Sequence, residues 1–360
     1  MNKHGGYYGK NHQEVMDFSV NINPLGVPET LIENLKKELE EMVRYPEIDG
    51  ASGKEVLAQH LGLKNENLIL GNGATELIYL FARSLKPEKV LIVKPTFTEY
   101  SKAFRLVGSS IYDYYTKEEK DFAIQIEELV SKIDDIKPDV LVICNPNNPT
   151  GVFTESKELI PVLDKLREIN AYLFIDESFI DFTDKTSCIS LIDEYNIFIL
   201  RSMTKIFAVP GLRLGYGIGR EAIIFKLNQI KEPWTLNSLA LKGIPVLLDD
   251  SKYLKNTQKW YSEEKKFLYN ELRNISNIKV IKSETNFFLI KLLRFNSDSL
   301  IEYLLSKKIF VRNCDNFQGL SDKYIRIAVR KREDNIKIIS EIRKYMGNEN
   351  SGGRQNEKNN

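Results

Sequence analysis

A carboxylate and an amine each stand where a strand of this 360-residue chain is predicted to end. Asp176 closes the apolar run of FIDESFIDF, and Lys205 follows the run that opens LRSMTKIFAVPGLRLGY. Alone, the aspartate is typical of a helix cap and the lysine of a solvated loop. Ligands, however, collect at the strand ends of an open α/β sheet, so the two side chains can face one site. Arg213 and a NPNNPTG loop (145–151) at another strand end strengthen this interpretation.

Other common chemistries find little support in the sequence. The histidines are His4, His12 and His60, and none has HExxH-like spacing, which disfavours a catalytic metal and a Ser-His-Asp triad. The three cysteines are far apart and odd in number, so they predict neither a disulfide framework nor a tetrathiolate zinc site. We therefore expect no metal, and we expect the chemistry to come from another source.

The charge balance excludes some partners. The 51 basic and 50 acidic residues leave a net charge of +1, so no overall basic field exists to hold nucleic acid or an anionic membrane. No apolar run reaches the roughly 18 residues of a membrane span. The N-terminal MNKHGGYYGK also lacks the apolar core of a signal peptide. We expect a cytoplasmic protein that acts on a small molecule.

The elements that must position these side chains alternate between strand-length apolar runs and longer segments of helical period. This alternation predicts an α/β fold with a mainly parallel sheet and helices on both faces. The predicted strands are 89–93, 140–144, 171–175, 197–200 and 214–218, and the predicted helices include 29–43, 75–85, 155–168 and 251–273.

Shorter units follow Ile278 and predict a second, smaller domain. Strands NIKVI, NFFLIKLL, IFVRN and YIRIAV alternate with two helices, a pattern typical of a small α+β domain. We predict an N-terminal arm (1–40) that packs with the small domain, a large cofactor-binding domain (41–275), the small domain (276–346) and a disordered tail (347–360).

The motifs together resemble the aminotransferase family of fold-type I pyridoxal-phosphate enzymes, over nearly the whole chain up to about residue 346. The resemblance implies pyridoxal 5′-phosphate as the cofactor. It also implies that Lys205 binds the cofactor covalently, that Asp176 pairs with its pyridine nitrogen, and that Asn148 of NPTG hydrogen-bonds its 3′-oxygen. A carboxylate partner keeps the pyridine protonated, so that the ring can accept electrons.

The same resemblance implies a cup for the cofactor phosphate. GNGATE places Gly73, Ala74 and Thr75 at a predicted strand-to-helix turn, where backbone amides and a hydroxyl can hold an anion. Ser202 and Arg213 match the remaining donors of the family's cup.

Two aromatic residues complete the implied cofactor site. Phe97 of PTFTEY corresponds to the aromatic residue that stacks on the ring. Tyr45 of RYP corresponds to the residue that reaches the phosphate of the partner subunit. The resemblance therefore implies a homodimer with shared active sites.

Two arginines bear on the substrate. Arg326 in KYIRIAV aligns with the arginine that grips the substrate α-carboxylate in this family, a bidentate role that suits a guanidinium. Arg312 in IFVRNC lies on the preceding predicted strand. The pair suits a substrate with two anionic groups and resembles the branch of histidinol-phosphate aminotransferases and threonine-phosphate decarboxylases.

Within that branch, the local sequence is more similar to the decarboxylases. This resemblance implies that His4 of HGG and Ser19 of DFSVNINPLG hold the substrate phosphate together with Arg312. Phe179 stands where many transaminases have a tyrosine. Decarboxylation of L-threonine O-3-phosphate is the leading hypothesis, and transamination of histidinol phosphate or decarboxylation of serine phosphate are the alternatives. The other similar segments are RYP, DESFIDF, LRSMTK, PGLRLGY, EPWTLN and VRNCDNFQGLSDKYIRIAVR.

Overall fold

The computed structural model describes residues 5–9 and 14–347. Its strands are β1 (Met16–Asp17), β2 (Leu68–Asn72), β3 (Lys89–Lys94), β4 (Ser110–Tyr115), β5 (Val140–Cys144), β6 (Tyr172–Asp176), β7 (Ile197–Ser202), β8 (Leu214–Gly219), β9 (Ile278–Val280), β10 (Phe287–Leu292), β11 (Ile309–Phe310), β12 (Arg312–Asn313) and β13 (Tyr324–Ala328).

The α-helices surround these strands. They are α1 (Glu29–Glu38), α2 (Ala51–Leu61), α3 (Ala74–Leu85), α4 (Glu99–Leu106), α5 (Ile126–Ile136), α6 (Ile160–Glu168), α7 (Met203–Ile206), α8 (Glu221–Asn228), α9 (Ser238–Asp249), α10 (Ser251–Arg273), α11 (Ser297–Ser306) and α12 (Arg332–Gly347). None of the helices within the described ranges is both long and apolar enough to cross a membrane.

The central sheet has the order β2-β8-β7-β6-β5-β3-β4 among the residues that the structure describes. Strands β3 to β7 run parallel, whereas β8 is antiparallel to both of its neighbours. Residues 203–213 join β7 to β8. That connection is shorter than the dozen or so residues of a parallel crossover, so the chain reverses direction after β7. The predicted α/β fold with a mainly parallel sheet is confirmed.

Helices cover both faces of the central strands. Leu141, Leu173 and Ile199 belong to one hydrophobic cluster, and their neighbours Val142 and Phe174 belong to the cluster on the opposite face. Side chains alternate between the faces of a strand, so both sets of positions must be apolar when both faces are covered. This burial explains the continuous apolar runs in the sequence.

Three elements differ from the sequence prediction. The predicted helix 29–43 ends its α-helical part at Glu38, because residues 39–43 form a 3₁₀ turn without a buried side chain. The predicted helix 155–168 opens with a 3₁₀ turn before α6 begins. The edge strand β4, SIYDYY, was not predicted because it is mostly exposed and has no continuous apolar run.

A second hydrophobic core lies around the antiparallel sheet β12-β13-β10-β9. It contains Phe288, Ile325 and Ile338, the end of α10 through Leu268, and Phe18 from the N-terminal segment. Strand β1 pairs with β11 and attaches that segment to this core. We propose that the two cores correspond to the predicted large domain (41–275) and small domain (276–346). Apart from Gly347, the predicted tail lies outside the described residues.

Candidate active site

A pocket with about 570 Å³ of empty space opens at the carboxyl ends of β5, β6 and β7. Strand ends are where open α/β sheets bind ligands. Its lining residues are Ala74, Thr75, Ile78, Phe97, Tyr100, Cys144, Asn148, Asp176, Ser178, Phe179, Ser202, Thr204, Lys205 and Arg213. The pocket therefore brings together most of the residues that the sequence assigned to a cofactor.

Lys205 lies on the short helix α7, directly after β7. Its Nζ makes no hydrogen bond or ion pair with the residues that the structure describes. Burial, together with the charges of Arg213 and Arg326, lowers the pKa of Lys205 to about 8, against the opposing effect of Asp176. A lysine with such a pKa is partly neutral near pH 7, which makes its amine available as a nucleophile and a base.

Asp176 is buried at the end of β6, beside β7 in the parallel sheet. The Tyr100 hydroxyl donates to its Oδ2 at 2.6 Å, and the Ser178 amide donates to its Oδ1 at 2.8 Å. Burial raises the pKa of Asp176, while these donors and Lys205 act in the opposite direction. A buried carboxylate held in this way can pair with a cationic ring nitrogen.

Tyr100 is a pocket residue that the sequence analysis missed. Its position three residues after Phe97, at the start of α4, was the available signal. The two rings pack edge to face with centroids 5.7 Å apart. Burial and Asp176 raise the pKa of Tyr100 well above its ordinary value, so its hydroxyl stays a donor.

The N-terminus of α3 forms one end of the pocket. Gly73 precedes this helix with a φ of +77°, which favours glycine. A Cβ placed on Gly73 would lie 2.4 Å from Nη2 of Arg213, so the guanidinium lies directly against the backbone. The Gly73 amide also donates to the Arg213 carbonyl at 2.9 Å. A helix N-terminus beside a guanidinium, with Ala74, Thr75 and Ser202 lining the same pocket, fits a phosphate group.

The predicted substrate arginines lie side by side. Arg312 and Arg326 are directly opposite each other on the antiparallel strands β12 and β13. Nη1 of Arg326 donates to Oδ1 of Asn148, and its Nη2 donates to the Ser19 carbonyl at 2.7 Å. Nε of Arg326 is buried and has no hydrogen-bond partner among the residues that the structure describes.

The arginines stay cationic at neutral pH despite their burial. Burial lowers the pKa of Arg326 to about 10, and Arg312 contributes to this shift. Burial likewise lowers the pKa of Arg312. No carboxylate of the described residues forms an ion pair with Arg326, so an anionic ligand would neutralise a buried charge there.

Four other predicted positions have different surroundings. Tyr45 is exposed and packs on Trp234, with ring centroids 5.5 Å apart, and it does not line the pocket of its own chain. The Ser19 hydroxyl donates to Asp17 Oδ1 at 2.6 Å and accepts from the Gly6 amide at 2.8 Å. Phe179 lines the pocket. His4 lies outside the described residues.

The described residues contain no cluster of three or more His, Cys, Asp or Glu side chains that could hold a metal ion. Cys144, Cys188 and Cys314 are buried, each as a free thiol. The polar groups that do converge belong to the pocket between α3, β6 and α7, so this pocket is the candidate active site.

Comparisons with known proteins agree with the geometry. The family described as "Aminotransferase class I and II" matches residues 13–342. A protein of Caldanaerobacter subterraneus subsp. tengcongensis, provisionally named a threonine-phosphate decarboxylase, is 38% identical over 90% of this chain and 88% of its own. The threonine-phosphate decarboxylase of Salmonella typhimurium is 34% identical over 94% of this chain and 93% of its own.

The chain is also similar to a solved structure of a histidinol-phosphate aminotransferase. The histidinol-phosphate aminotransferase from Clostridium acetobutylicum superposes with a TM-score of 0.87 and 35% identity, covering 93% of this chain and 100% of that one.

Proposed function

We propose that this chain, which belongs to the family of class I and II aminotransferases, decarboxylates L-threonine O-3-phosphate to (R)-1-amino-2-propanol phosphate and CO₂ for cobalamin biosynthesis. The relatives named as threonine-phosphate decarboxylases support this activity. The protein is an enzyme and its cofactor is pyridoxal 5′-phosphate. The observation that carries the choice of substrate is the pairing of Arg312 with Arg326, which offers one cation to each anionic group of a phosphorylated amino acid.

The pocket fits the cofactor group by group. Gly73, Ala74, Thr75, Ser202 and Arg213 would hold its phosphate at the start of α3. When bound, pyridoxal phosphate supplies an electron sink for a bond that breaks at the substrate Cα.

The remaining cofactor contacts come from four side chains. Asp176 would pair with the ring nitrogen, Asn148 would donate to the 3′-oxygen, and Phe97 would stack on the ring. Lys205 would bind the cofactor covalently through its amine.

The chain's own residues orient the substrate and move a proton. Arg326 binds the α-carboxylate with its guanidinium and so fixes which Cα bond faces the cofactor. Arg312 binds the phosphate, together with His4. After the carboxylate has left as CO₂, the protonated amine of Lys205 delivers a proton to Cα, a role that suits the lowered pKa of this lysine.

We further propose that the enzyme is a homodimer with shared active sites. An exposed apolar surface, formed by Met42, Val43, Tyr45, Ile48 and Trp234, supports this proposal. Tyr45 would contribute its hydroxyl to the cofactor phosphate of the partner subunit, since it does not line the pocket of its own chain.

Two reactions test the proposed function. One contains the purified holoenzyme with L-threonine O-3-phosphate, and the other contains it with histidinol phosphate and 2-oxoglutarate. We expect aminopropanol phosphate in the first and no glutamate in the second. Glutamate in the second, with no amine product in the first, would assign the chain to transamination. L-serine O-phosphate, which lacks the substrate methyl group, serves as the control. Its kcat/KM should be lower by a factor that corresponds to about 1–3 kcal/mol of transition-state binding.

Histidinol-phosphate transamination is the second candidate, supported by the similarity to the Clostridium acetobutylicum enzyme. Histidinol phosphate carries a phosphorylated alcohol in place of the α-carboxylate, so it offers a single anionic group to the two buried arginines. Threonine phosphate offers both of the anionic groups that the arginine pair suits, which is why we favour decarboxylation.

A further inference from the structure

The N-terminal strap, residues 5–9, is attached to the substrate side of the active site by two polar side chains. The Gly6 amide donates to Ser19 Oγ at 2.8 Å, and the Tyr7 amide donates to Asp17 Oδ2 at 2.9 Å. Ser19 donates its own hydroxyl to Asp17 Oδ1 at 2.6 Å. Both hydrogen-bonding roles of the Ser19 hydroxyl are therefore used within the protein.

Glycine is required where the strap touches Ser19. A Cβ placed on Gly5 would lie 2.5 Å from the Ser19 carbonyl oxygen, closer than such atoms can approach. Gly6 has a φ of +108°, which side chains rarely adopt. The two glycines of the HGG motif thus permit a close approach of two backbone segments.

The atom that Gly5 approaches also holds a substrate arginine. The Ser19 carbonyl oxygen accepts a hydrogen bond from Nη2 of Arg326 at 2.7 Å. On the other side, the Tyr7 ring packs on Phe310 of β11, at a centroid distance of 5.2 Å and two residues before Arg312. The strap therefore contacts the carbonyl that supports Arg326 and, through Tyr7, the chain just before Arg312.

We propose that Ser19 and Asp17 are positioning residues that hold the N-terminal strap against the Ser19 carbonyl, which supports Arg326, and against Phe310, two residues before Arg312, so that the strap shapes the subsite for the substrate phosphate. The proposal rests on the proposed function in that it places a phosphorylated substrate at these arginines. It gives Ser19 an indirect role: the residue acts on the substrate through the strap and through Arg326, because its hydroxyl is already engaged.

Two readouts on the full-length holoenzyme test the proposal. Hydrogen exchange, followed by mass spectrometry of N-terminal peptides, reports whether the strap is held. Steady-state kinetics with whichever phosphorylated substrate turns over reports whether the subsite is intact. In Ser19→Ala we expect exchange of the Gly6 and Tyr7 amides to accelerate at least about fivefold and KM to rise by a similar factor, as for the loss of one hydrogen bond. We expect kcat to change less than about twofold, because the catalytic groups are untouched.

Matched variants separate this role from a general loss of stability. Ser109→Ala removes another buried hydroxyl, which donates to the Pro87 carbonyl at 2.6 Å far along the chain, and should alter neither readout. Gly5→Ala should reproduce the effects of Ser19→Ala, whereas Gly347→Ala, where a Cβ would meet nothing within 4 Å, should not.

The two readouts also distinguish the possible failures. A raised KM without faster exchange in Ser19→Ala would mean that Ser19 binds the phosphate directly, and it would overturn the proposal. Faster exchange with an unchanged KM would overturn it as well, since the strap would then not shape the subsite. Failure of the wild-type enzyme to release CO₂ from threonine phosphate would refute the proposed function, and the exchange result would still decide whether Ser19 holds the strap.

Discussion

At the scale of single residues, the pocket combines an amine of lowered pKa with a buried carboxylate. Beside it, Arg326 donates to Asn148 of the pocket and lies opposite a second buried guanidinium, that of Arg312. Burial sets the direction of the pKa shifts of Lys205, Asp176 and Arg326 alike, since it disfavours each charged form. Ionised groups are costly in such a pocket unless a ligand pairs with them. Pyridoxal phosphate, through its ring nitrogen, and the proposed substrate, through its two anionic groups, would supply those partners.

The lowered pKa of Lys205 predicts a pH dependence for cofactor uptake. Only the neutral amine attacks a carbonyl, so the rate at which cofactor-free protein binds pyridoxal phosphate covalently should rise as the pH approaches about 8 and then level off. Absorbance of the bound cofactor follows this rate, and Lys205→Arg is the control that should show no covalent uptake. A rate that keeps rising to the ordinary lysine pKa of about 10.4 would contradict the assignment.

Replacing each of the two arginines should change kcat/KM in a different way. Arg326→Ala should lower kcat/KM for every amino acid substrate, because the α-carboxylate loses its partner. Arg312→Ala should lower it mainly for phosphorylated substrates, by the roughly 1.5–3 kcal/mol of a charged hydrogen bond. The measurement is the ratio of kcat/KM for threonine phosphate to that for threonine in each variant. If Arg312→Ala leaves this ratio unchanged, Arg312 does not bind the phosphate.

Local motifs predicted most of the pocket but not every contact in it. Asp176, Asn148, Ser202 and Lys205 stand in short segments whose residue types and order are distinctive, and all four line the pocket. Tyr100 was missed because its hydrogen bond to Asp176 joins residues 76 positions apart, which only the fold brings together. The engagement of the Ser19 hydroxyl by Gly6 was invisible for the same reason.

At the scale of elements, the site depends on how the chain leaves each strand. The reversal between β7 and β8 places Lys205 and Arg213 in one short connection, at the same edge of the sheet as Asp176. The start of α3 packs against β8 so closely that a Cβ on Gly215 would lie 2.3 Å from the Ala74 amide nitrogen. The sequence predicted these strands within a few residues, but it did not predict that β8 runs antiparallel, which the structure shows.

A glycine substitution tests the role of the α3 start. Gly73→Ala should weaken binding of pyridoxal phosphate at least tenfold, or about 1.4 kcal/mol, because the new methyl group would displace the Arg213 guanidinium. The measurement is the Kd of the cofactor for each variant. Gly26→Ala is the matched control: Gly26 also has a positive φ, but a Cβ there would meet nothing within 4 Å. Equal losses in both variants would mean that backbone strain alone is responsible.

At the scale of the whole molecule, one apolar surface stays exposed in the single chain. Tyr45 is 86% exposed and Trp234 is 48% exposed, although their rings pack on each other. The Trp234 amide donates to the Ile48 carbonyl at 3.1 Å, so these residues form one continuous patch. Composition says nothing about such a patch, because it depends on two segments almost 190 residues apart meeting in the fold.

Mixing two inactive variants tests for shared active sites. Lys205→Ala lacks the covalent amine, and Tyr45→Ala should bind the cofactor weakly if Tyr45 serves the partner subunit. A heterodimer of the two has one site with both changes and one intact site, so a mixture that exchanges subunits should recover up to about a quarter of wild-type activity at limiting cofactor. Activity no greater than the sum of the separate variants, with subunit exchange demonstrated, would contradict a shared site.

The central claim is that the enzyme decarboxylates its substrate and does not transfer the amino group. The most direct measurement counts CO₂ released per active site from L-threonine O-3-phosphate labelled in its carboxylate, with no keto acid present. Decarboxylation predicts continued release, far beyond one CO₂ per site, because the amino group stays on the product and no acceptor is needed. Transamination predicts that the reaction stops after about one equivalent of keto product per site and releases no enzymatic CO₂, and that result would contradict the account.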